Sequence, residues 1–256
     1  MNKRFFLNLF IITTLLLITL IMGTQAAPGR ENLVFTTGTT NRVSVSSDET
    51  QGNDDSDWSS ISNDGRYVAF RSDADNLVSG DTNDFGDIFV RDRQIEITTR
   101  ISVSSDGAQA NDESRNPSIS ADGRYVVFES DADNLVSGDT NGSRDIFVHD
   151  LQTGDTKRVS VASNGTQGNN NSRFPSISSD GRYVAFQSLA SKLVNGDTNG
   201  YQDIFVHDRQ TGVTSIVSVA SDGKEGNGDS YGPSISADGR YVAFDSKASN
   251  LVSGDT

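Results

Sequence analysis

The sequence contains no cysteine, which excludes disulfide bonds, thiolate metal sites and thiol nucleophiles. Proline occurs four times and histidine twice, and no helical apolar periodicity follows residue 26. Basic residues are also scarce, since 21 lysines and arginines face 35 aspartates and glutamates, for a formal net charge of -14. We expect such a chain to bind neither nucleic acid nor anionic lipid, because phosphate binding requires clustered lysine and arginine. Its natural counterions are cations.

A long apolar run occurs only at the N-terminus. Lys3 and Arg4 precede an apolar stretch over residues 5–22, and small residues up to Ala26 follow it. This order predicts a secretory signal peptide over residues 1–26. The alternative is an uncleaved anchor, because the stretch approaches the ~20 residues that span a bilayer. Both alternatives predict an extracytoplasmic protein, periplasmic or secreted, with no other membrane segment.

The rest of the sequence repeats every 58 residues. The segment GDTNDFGDIFVRD at 80–92 returns as GDTNGSRDIFVHD and again as GDTNGYQDIFVHD. A second segment, SISADGRYVVF at 118–128, has three counterparts. Self-similarity at a fixed period indicates one supersecondary unit that stacks on its neighbours, because a single copy cannot bury its own apolar face.

Each copy is predicted to contain four short antiparallel strands joined alternately by tight turns and long polar loops. Uninterrupted apolar runs, such as Tyr125 to Phe128, predict strands that are covered on both faces. Gly123 belongs to a tight Asp-Gly turn. Because a four-stranded meander alternates between its two ends, all the long acidic loops are predicted to emerge on one face. The strands predicted for the second copy are 118–120, 124–128, 146–148 and 157–161.

This pattern predicts an all-β chain that forms a β-propeller of four-stranded antiparallel blades. Residues 33–256 would hold three whole repeats and two half-blades, after a linker at 27–32. One alternative is that the two halves close a four-bladed ring. The other is that the chain is a fragment of a larger propeller, and the stop inside the fourth GDTN motif favours this second alternative.

The repeat also resembles a known family. The stretch SNDGRYVAF at 62–70 and its counterparts, followed by IFV-x-D and then by RVSV or a variant of it, are similar to the WD40-like repeat of TolB-type β-propellers. The resemblance covers residues 33–256. It implies a propeller that serves as a periplasmic or secreted interaction platform, and it implies no particular ligand.

The best candidate for a chemical site is the motif D-x-N-x-x-x-D, which lies in each copy in the long loop between the second and third strands and ends where the third strand begins. Ca²⁺ takes six to eight oxygen ligands, and oxygens at positions 1, 3 and 7 of a tight loop converge as they do at the start of a calcium loop. The same residues can instead form Asx-turns that order the loop without metal, and both alternatives stay open. The candidate ligands are Asp81, Asn83, Asp87, Asp139, Asn141, Asp145, Asp197, Asn199 and Asp203.

These observations predict a scaffold that binds a protein or polysaccharide on the long-loop face, with Ca²⁺ ordering the repeated loops. We expect no enzymatic activity, because the acids recur copy by copy whereas an active site needs one asymmetric cluster. The alternative is a carbohydrate-active or other propeller enzyme on the same face. It requires the residues found in only one copy, Trp58, Tyr201 and Tyr231, to meet two acids in one pocket. A second alternative is a purely structural surface protein.

Overall fold

Four antiparallel β-sheets follow one another along the chain in the computed structural model, which describes residues 38–255. The first sheet consists of β1 (Ser56–Ile61), β2 (Tyr67–Ser72), β3 (Asp87–Asp92) and β4 (Ile97–Arg100). The second consists of β5 (Ser114–Ile119), β6 (Tyr125–Ser130), β7 (Asp145–Asp150) and β8 (Thr156–Arg158). The third consists of β9 (Ser172–Ile177), β10 (Tyr183–Ser188), β11 (Asp203–Asp208) and β12 (Val213–Ile216). The last contains β13 (Ser230–Ile235) and β14 (Val242–Ser246).

None of the described residues is helical, so residues 38–255 contain no helix that could cross a membrane. The predicted signal peptide at 1–26 and the predicted linker at 27–32 lie outside the described residues. The same is true of the first few residues of the predicted propeller domain.

Within each sheet the strands pair in sequence order, and every pairing is antiparallel. This arrangement confirms the predicted fold, an all-β propeller with blades of four antiparallel strands. Residues 41–255 contain three complete blades and two strands of another.

The strand bounds of the second copy differ from the sequence prediction, and two of them differ most. Strand β5 begins at Ser114 instead of 118, because a β-bulge lets it continue: the register shifts between Arg115 and Ser118, and Asn116 has a φ of 53°. The fourth strand ends at Arg158, because Val161 leaves the sheet and forms an isolated bridge with Gln167 in the next loop.

The core lies between consecutive blades. In the second blade, Val126 and Phe128 of β6 and Phe147 of β7 are fully buried, and the two phenyl rings stack with centroids 5.9 Å apart. Val126, Phe128 and Phe147 share one apolar cluster with Ile88 and Val90 of the first blade. The middle strands of the three complete blades are therefore covered on both faces, as their continuous apolar runs predict.

The Asp-Gly turns link the blades near the first strands. The backbone N–H of Asn63 donates to the Ala121 carbonyl at 2.9 Å, and Ala121 in turn donates to Ser179 at 3.0 Å. The Tyr67 ring lies so close to Gly123 that a Cβ atom added at this glycine would come within 2.2 Å of the ring. Gly123 also has a φ of +74°. Only glycine meets both requirements, so the turn residue is fixed by the neighbouring blade.

An arginine on each tight turn binds the aspartate that ends the third strand. In the second blade, the Nε and Nη2 atoms of Arg124 donate to the two carboxylate oxygens of Asp150 at 2.9 and 2.8 Å. This bidentate pair, together with the N–H of Gln152, lowers the pKa of Asp150 to about 2. Equivalent pairs join Arg66 to Asp92 and Arg182 to Asp208.

The stacked phenylalanines lead to a prediction about stability. We expect Phe147→Ala to lower the free energy of unfolding by about 3–5 kcal/mol, because it removes a fully buried ring and leaves a cavity. The matched control is Phe174→Ala, since that ring is 48% exposed, and we expect a change within about 0.5 kcal/mol. Urea denaturation measures both, and equal effects of the two substitutions would contradict the assigned core.

The Arg124–Asp150 pair leads to a prediction about acid stability. Because the folded pKa of Asp150 is about 2 and the unfolded value is about 3.9, the pair stabilises the fold above pH ~4 and ceases to do so as the pH falls through ~2. We therefore expect Asp150→Asn to lose less stability than the unsubstituted protein between pH 4 and pH 2. Urea midpoints across this range measure the difference. Asp155→Asn, at an exposed position on the same turn, is the control and should follow the unsubstituted protein.

Candidate functional site

Each D-x-N-x-x-x-D segment is ordered around its asparagine. In the second copy, the Oδ1 atom of Asn141 accepts a hydrogen bond from the N–H of Ser143 at 2.9 Å, which closes an Asx-turn. Its Nδ2 atom donates to Asp145 at 2.8 Å and to the Gly168 carbonyl at 3.0 Å, so it also ties the loop to the one that follows β8. Asn83 and Asn199 make the equivalent contacts. All three asparagines turn their NH₂ groups, rather than an oxygen, towards the aspartate at position 7.

The aspartate at position 7 begins the third strand and is completely buried. In the second copy, Asp145 accepts hydrogen bonds from the hydroxyl of Ser160 and from Asn141. The Ser160 Oγ atom in turn accepts from the N–H of Ile146 at 3.1 Å. Burial raises the pKa of Asp145 despite these donors, and it raises that of Asp87 in the first copy to about 6. The aspartate therefore needs a nearby positive charge to stay ionised at low cost.

That charge comes from an arginine in the first two copies. The Nη1 atom of Arg158, at the end of β8, lies 2.7 Å from Asp139 and 3.1 Å from Asp145. Arg100 makes the equivalent contacts with Asp81 at 2.9 Å and with Asp87 at 3.4 Å. A guanidinium group thus lies between the carboxylates at positions 1 and 7, where the sequence motif predicts a metal ion.

The third copy has no such arginine. Ile216 occupies the position of Arg100 and Arg158. Among the described residues, none donates a hydrogen bond to the Asp197 carboxylate or forms an ion pair with it, although Asp197 is only 9% exposed. Burial, Asp203 and Glu225 raise the pKa of Asp197 to about 6. The third site is therefore electrostatically unlike the other two.

The structure thus divides the predicted calcium ligands into two kinds. One arginine brings the aspartates at positions 1 and 7 together in the first two copies, and the asparagines of all three copies act as donors that order the loop. Over residues 38–255, no three aspartate, glutamate or histidine side chains are placed around one point as metal ligands. The nine-residue calcium site stays a prediction.

The arginines, the serines behind the position-7 aspartates and Glu225 were not predicted from the sequence. Arg158 lies 19 positions after Asp139, beyond the reach of a short loop motif. An alignment of the copies at their 58-residue period would have identified it, because Arg100, Arg158 and Ile216 occupy equivalent positions.

The two ends of the blades differ strongly in charge. The loop face consists of 43–55, 73–86, 101–113, 131–144, 159–171, 189–202, 217–229 and 247–255. It carries 19 acidic and four basic residues, a net formal charge of -15. The turn face consists of 62–66, 93–96, 120–124, 151–155, 178–182, 209–212 and 236–241. It carries six acidic and six basic residues, so it is formally neutral. The acids of this propeller are therefore concentrated at one end.

Hydrogen bonds between neighbouring loops confirm that the long segments share one end of the blades. Asn76 donates to the Gln51 carbonyl at 2.9 Å, and Asn53 donates to Asp75 at 2.7 Å. The residues that would mark a unique catalytic pocket do not share a sheet: Trp58 lies in β1, Tyr201 in the loop before β11 and Tyr231 in β13.

The known proteins that resemble this chain are solved structures of low sequence identity. No protein-family profile matches the sequence, and no curated protein shows a significant match. Similar solved structures include TolB from Acinetobacter baumannii, with 20% identity and a TM-score of 0.47 over 75% of this chain and 37% of that chain. The β-propeller domain of the Trilobed protease from Pyrococcus furiosus shows 14% identity and a TM-score of 0.38 over 62% and 40% of the two chains. Oligogalacturonate lyase from Vibrio parahaemolyticus shows 14% identity and a TM-score of 0.41 over 75% and 46%.

The chain spans less than half the length of each of these proteins. The similar structures are thus TolB and other β-propeller proteins, and the fold itself rests on the sheets described above.

The role of the asparagines leads to a prediction that separates loop ordering from metal ligation. We expect Asn141→Ala to destabilise the fold by about 1–3 kcal/mol, because Asp145 and the Gly168 carbonyl lose their donor. Asn141→Asp should destabilise it more, because a second carboxylate would face these acceptors. Urea denaturation with and without Ca²⁺ measures both. A Ca²⁺-dependent stabilisation of Asn141→Asp beyond that of the unsubstituted protein would favour a ligand role instead.

Proposed function

We propose that the protein is an extracytoplasmic binding scaffold whose loop face binds a basic segment of a partner protein. The observation that carries this proposal is the difference in net charge between the two faces, -15 against zero. A face of one sign attracts partners of the opposite sign and accelerates their association. The sequence begins with basic residues and an apolar stretch, followed by small residues up to Ala26, and this order supports the extracytoplasmic location.

The negative charge is concentrated on the first half of the loop face. Segments 43–55, 73–86, 101–113 and 131–144 carry 14 acidic residues and one basic residue. Segments 159–171 and 189–202 carry only Asp197 and Lys192. The proposed partner therefore contacts the loops around the first two blades.

Asn111 illustrates how these charges are held. Its Nδ2 atom donates to Asp133 at 2.6 Å, and both residues are exposed. At the equivalent place in the third copy, Asn169 donates to Ser191 at 3.1 Å. The fold thus accepts either aspartate or serine at this position, so the charge is not required for the loop to form. A charge that the fold does not need is available for a partner.

This interchange provides a test of the proposed function. In the double variant Asp75→Ser/Asp133→Ser, both replacements are residues that the other copies hold at the same position. We expect it to bind a fluorescent oligo-lysine peptide about 2- to 30-fold more weakly, because each exposed charge pair contributes about 0.2–1 kcal/mol. Fluorescence anisotropy at low salt measures the affinity, and the difference should shrink at about 0.5 M salt.

The matched control removes two charges from the turn face. In Glu96→Gly/Asp155→Val, each replacement is again the residue that another copy has at the same position: Gly154 for Glu96 and Val213 for Asp155. We expect this variant to bind the peptide as the unsubstituted protein does. Equal weakening by both double variants, or binding that salt does not change, would reject a basic partner on the loop face.

A further inference from the structure

The three D-x-N-x-x-x-D sites differ at two positions that lie next to their carboxylates. The first position is arginine in two copies and Ile216 in the third. The second position is Gln109 in the first copy and Glu225 in the third. Gln109 donates a hydrogen bond to Asp81 at 2.8 Å. One change removes a positive charge and the other adds a negative charge. The third site is therefore two charge units more negative than the first.

The carboxylates of the third site lie on two neighbouring segments that a hydrogen bond joins, since Asn199 donates to the Gly226 carbonyl at 3.2 Å. Asp203 is fully buried and accepts from Ser218 at 2.6 Å and from Asn199 at 2.9 Å. The carboxylate of Glu225 lies beside the N–H of Thr198, at 3.4 Å. Asp197 is only 9% exposed and receives no hydrogen bond from any residue in the described range 38–255. Burial and the charges of Asp203 and Glu225 raise its pKa. Asp197 precedes Thr198, whose N–H donates to Glu225, and lies two residues before Asn199, the donor to Asp203.

A buried carboxylate without a donor is costly unless a positive charge or a proton compensates for it. In the first two copies the guanidinium of Arg100 or Arg158 provides the compensation. Among the described residues, no lysine or arginine forms an ion pair with Asp197, Asp203 or Glu225. The compensation at the third site is therefore a proton or a cation from solution.

We propose that the third copy binds one divalent cation, Ca²⁺, through the carboxylates of Asp197, Asp203 and Glu225, in the place that a guanidinium group takes in the other two copies. Three carboxylates with additional water suit a hard cation that prefers six to eight oxygen ligands. The carboxylates do not converge on one point in the structure. Glu225, which is half buried, turns inward when the ion binds.

A single ion in one copy differs from a calcium site in every loop. The ion belongs to the third copy alone, Glu225 replaces the asparagine ligand, and binding does not depend on the basic partner proposed above. The number of bound ions and the effect of copy-swapping substitutions decide between the two possibilities.

The first experiment is a calorimetric titration of the full chain with Ca²⁺ after removal of divalent ions with EDTA. We expect one ion per chain, with a dissociation constant of about 10⁻⁴–10⁻³ M, typical of extracellular sites. The variant Ile216→Arg/Glu225→Gln installs the residues of the second copy, and we expect it to lose binding while its far-UV circular dichroism stays unchanged. Glu225→Gln alone should weaken the affinity at least about tenfold, because it removes one of three charged ligands.

The reciprocal variant transfers the site to another blade. Arg158→Ile/Gln167→Glu gives the second copy the residues of the third, and we expect it to raise the stoichiometry from one ion to two. No heat of binding for the unsubstituted protein at about 10 mM Ca²⁺ would overturn the proposal. Three ions per chain, or unchanged affinity in Glu225→Gln, would also overturn it.

Discussion

The whole structure depends on the burial of the middle strands between consecutive blades. Val126, Phe128 and Phe147 are apolar on strands whose two faces are both covered, and they share one cluster with Ile88 and Val90 of the preceding blade. One blade alone would leave these surfaces in water, so the blades stack. Because each blade is a meander in register with its neighbours, stacking also brings all the long loops to one end. The common loop face is a consequence of the core.

Repetition makes the chemistry of the loops readable. Three copies hold the same Asx-turn, the same buried aspartate and the same serine behind it, so differences at neighbouring positions stand out. The change from Arg158 to Ile216 is one such difference. In a protein without repeats, an isoleucine near two aspartates would give no signal. Here it marks the place where a cation present in two copies is missing from the third.

Much of this fold could be predicted from the sequence, because its information is local. The Asp-Gly turns and the continuous apolar runs fix the strand order, and the alternation of the meander fixes the loop face. The bulge at Asn116 was not predicted, because a φ of 53° in a non-glycine residue cannot be read from a hydrophobicity pattern. The arginine between Asp139 and Asp145 was not predicted for another reason. Arg158 reaches them from β8, across the ladder between β7 and β8, so its proximity follows from strand pairing and not from a motif.

Arginines pair aspartates at both ends of the blades, but some exposed acids of the loop face are held by neutral side chains, and these acids are where a positively charged partner gains most. On the turn face, Asp150 and its equivalents are neutralised by bidentate arginines. On the loop face, exposed acids such as Asp133 are held by the neutral amide of Asn111. An amide orients a carboxylate but leaves its charge uncompensated, so the loops are ordered and remain negative. A partner that binds such an acid gains electrostatic attraction without first breaking an ion pair, which it would have to do at Asp73 or Asp131. Asp150, which Arg124 already pairs, offers no such gain.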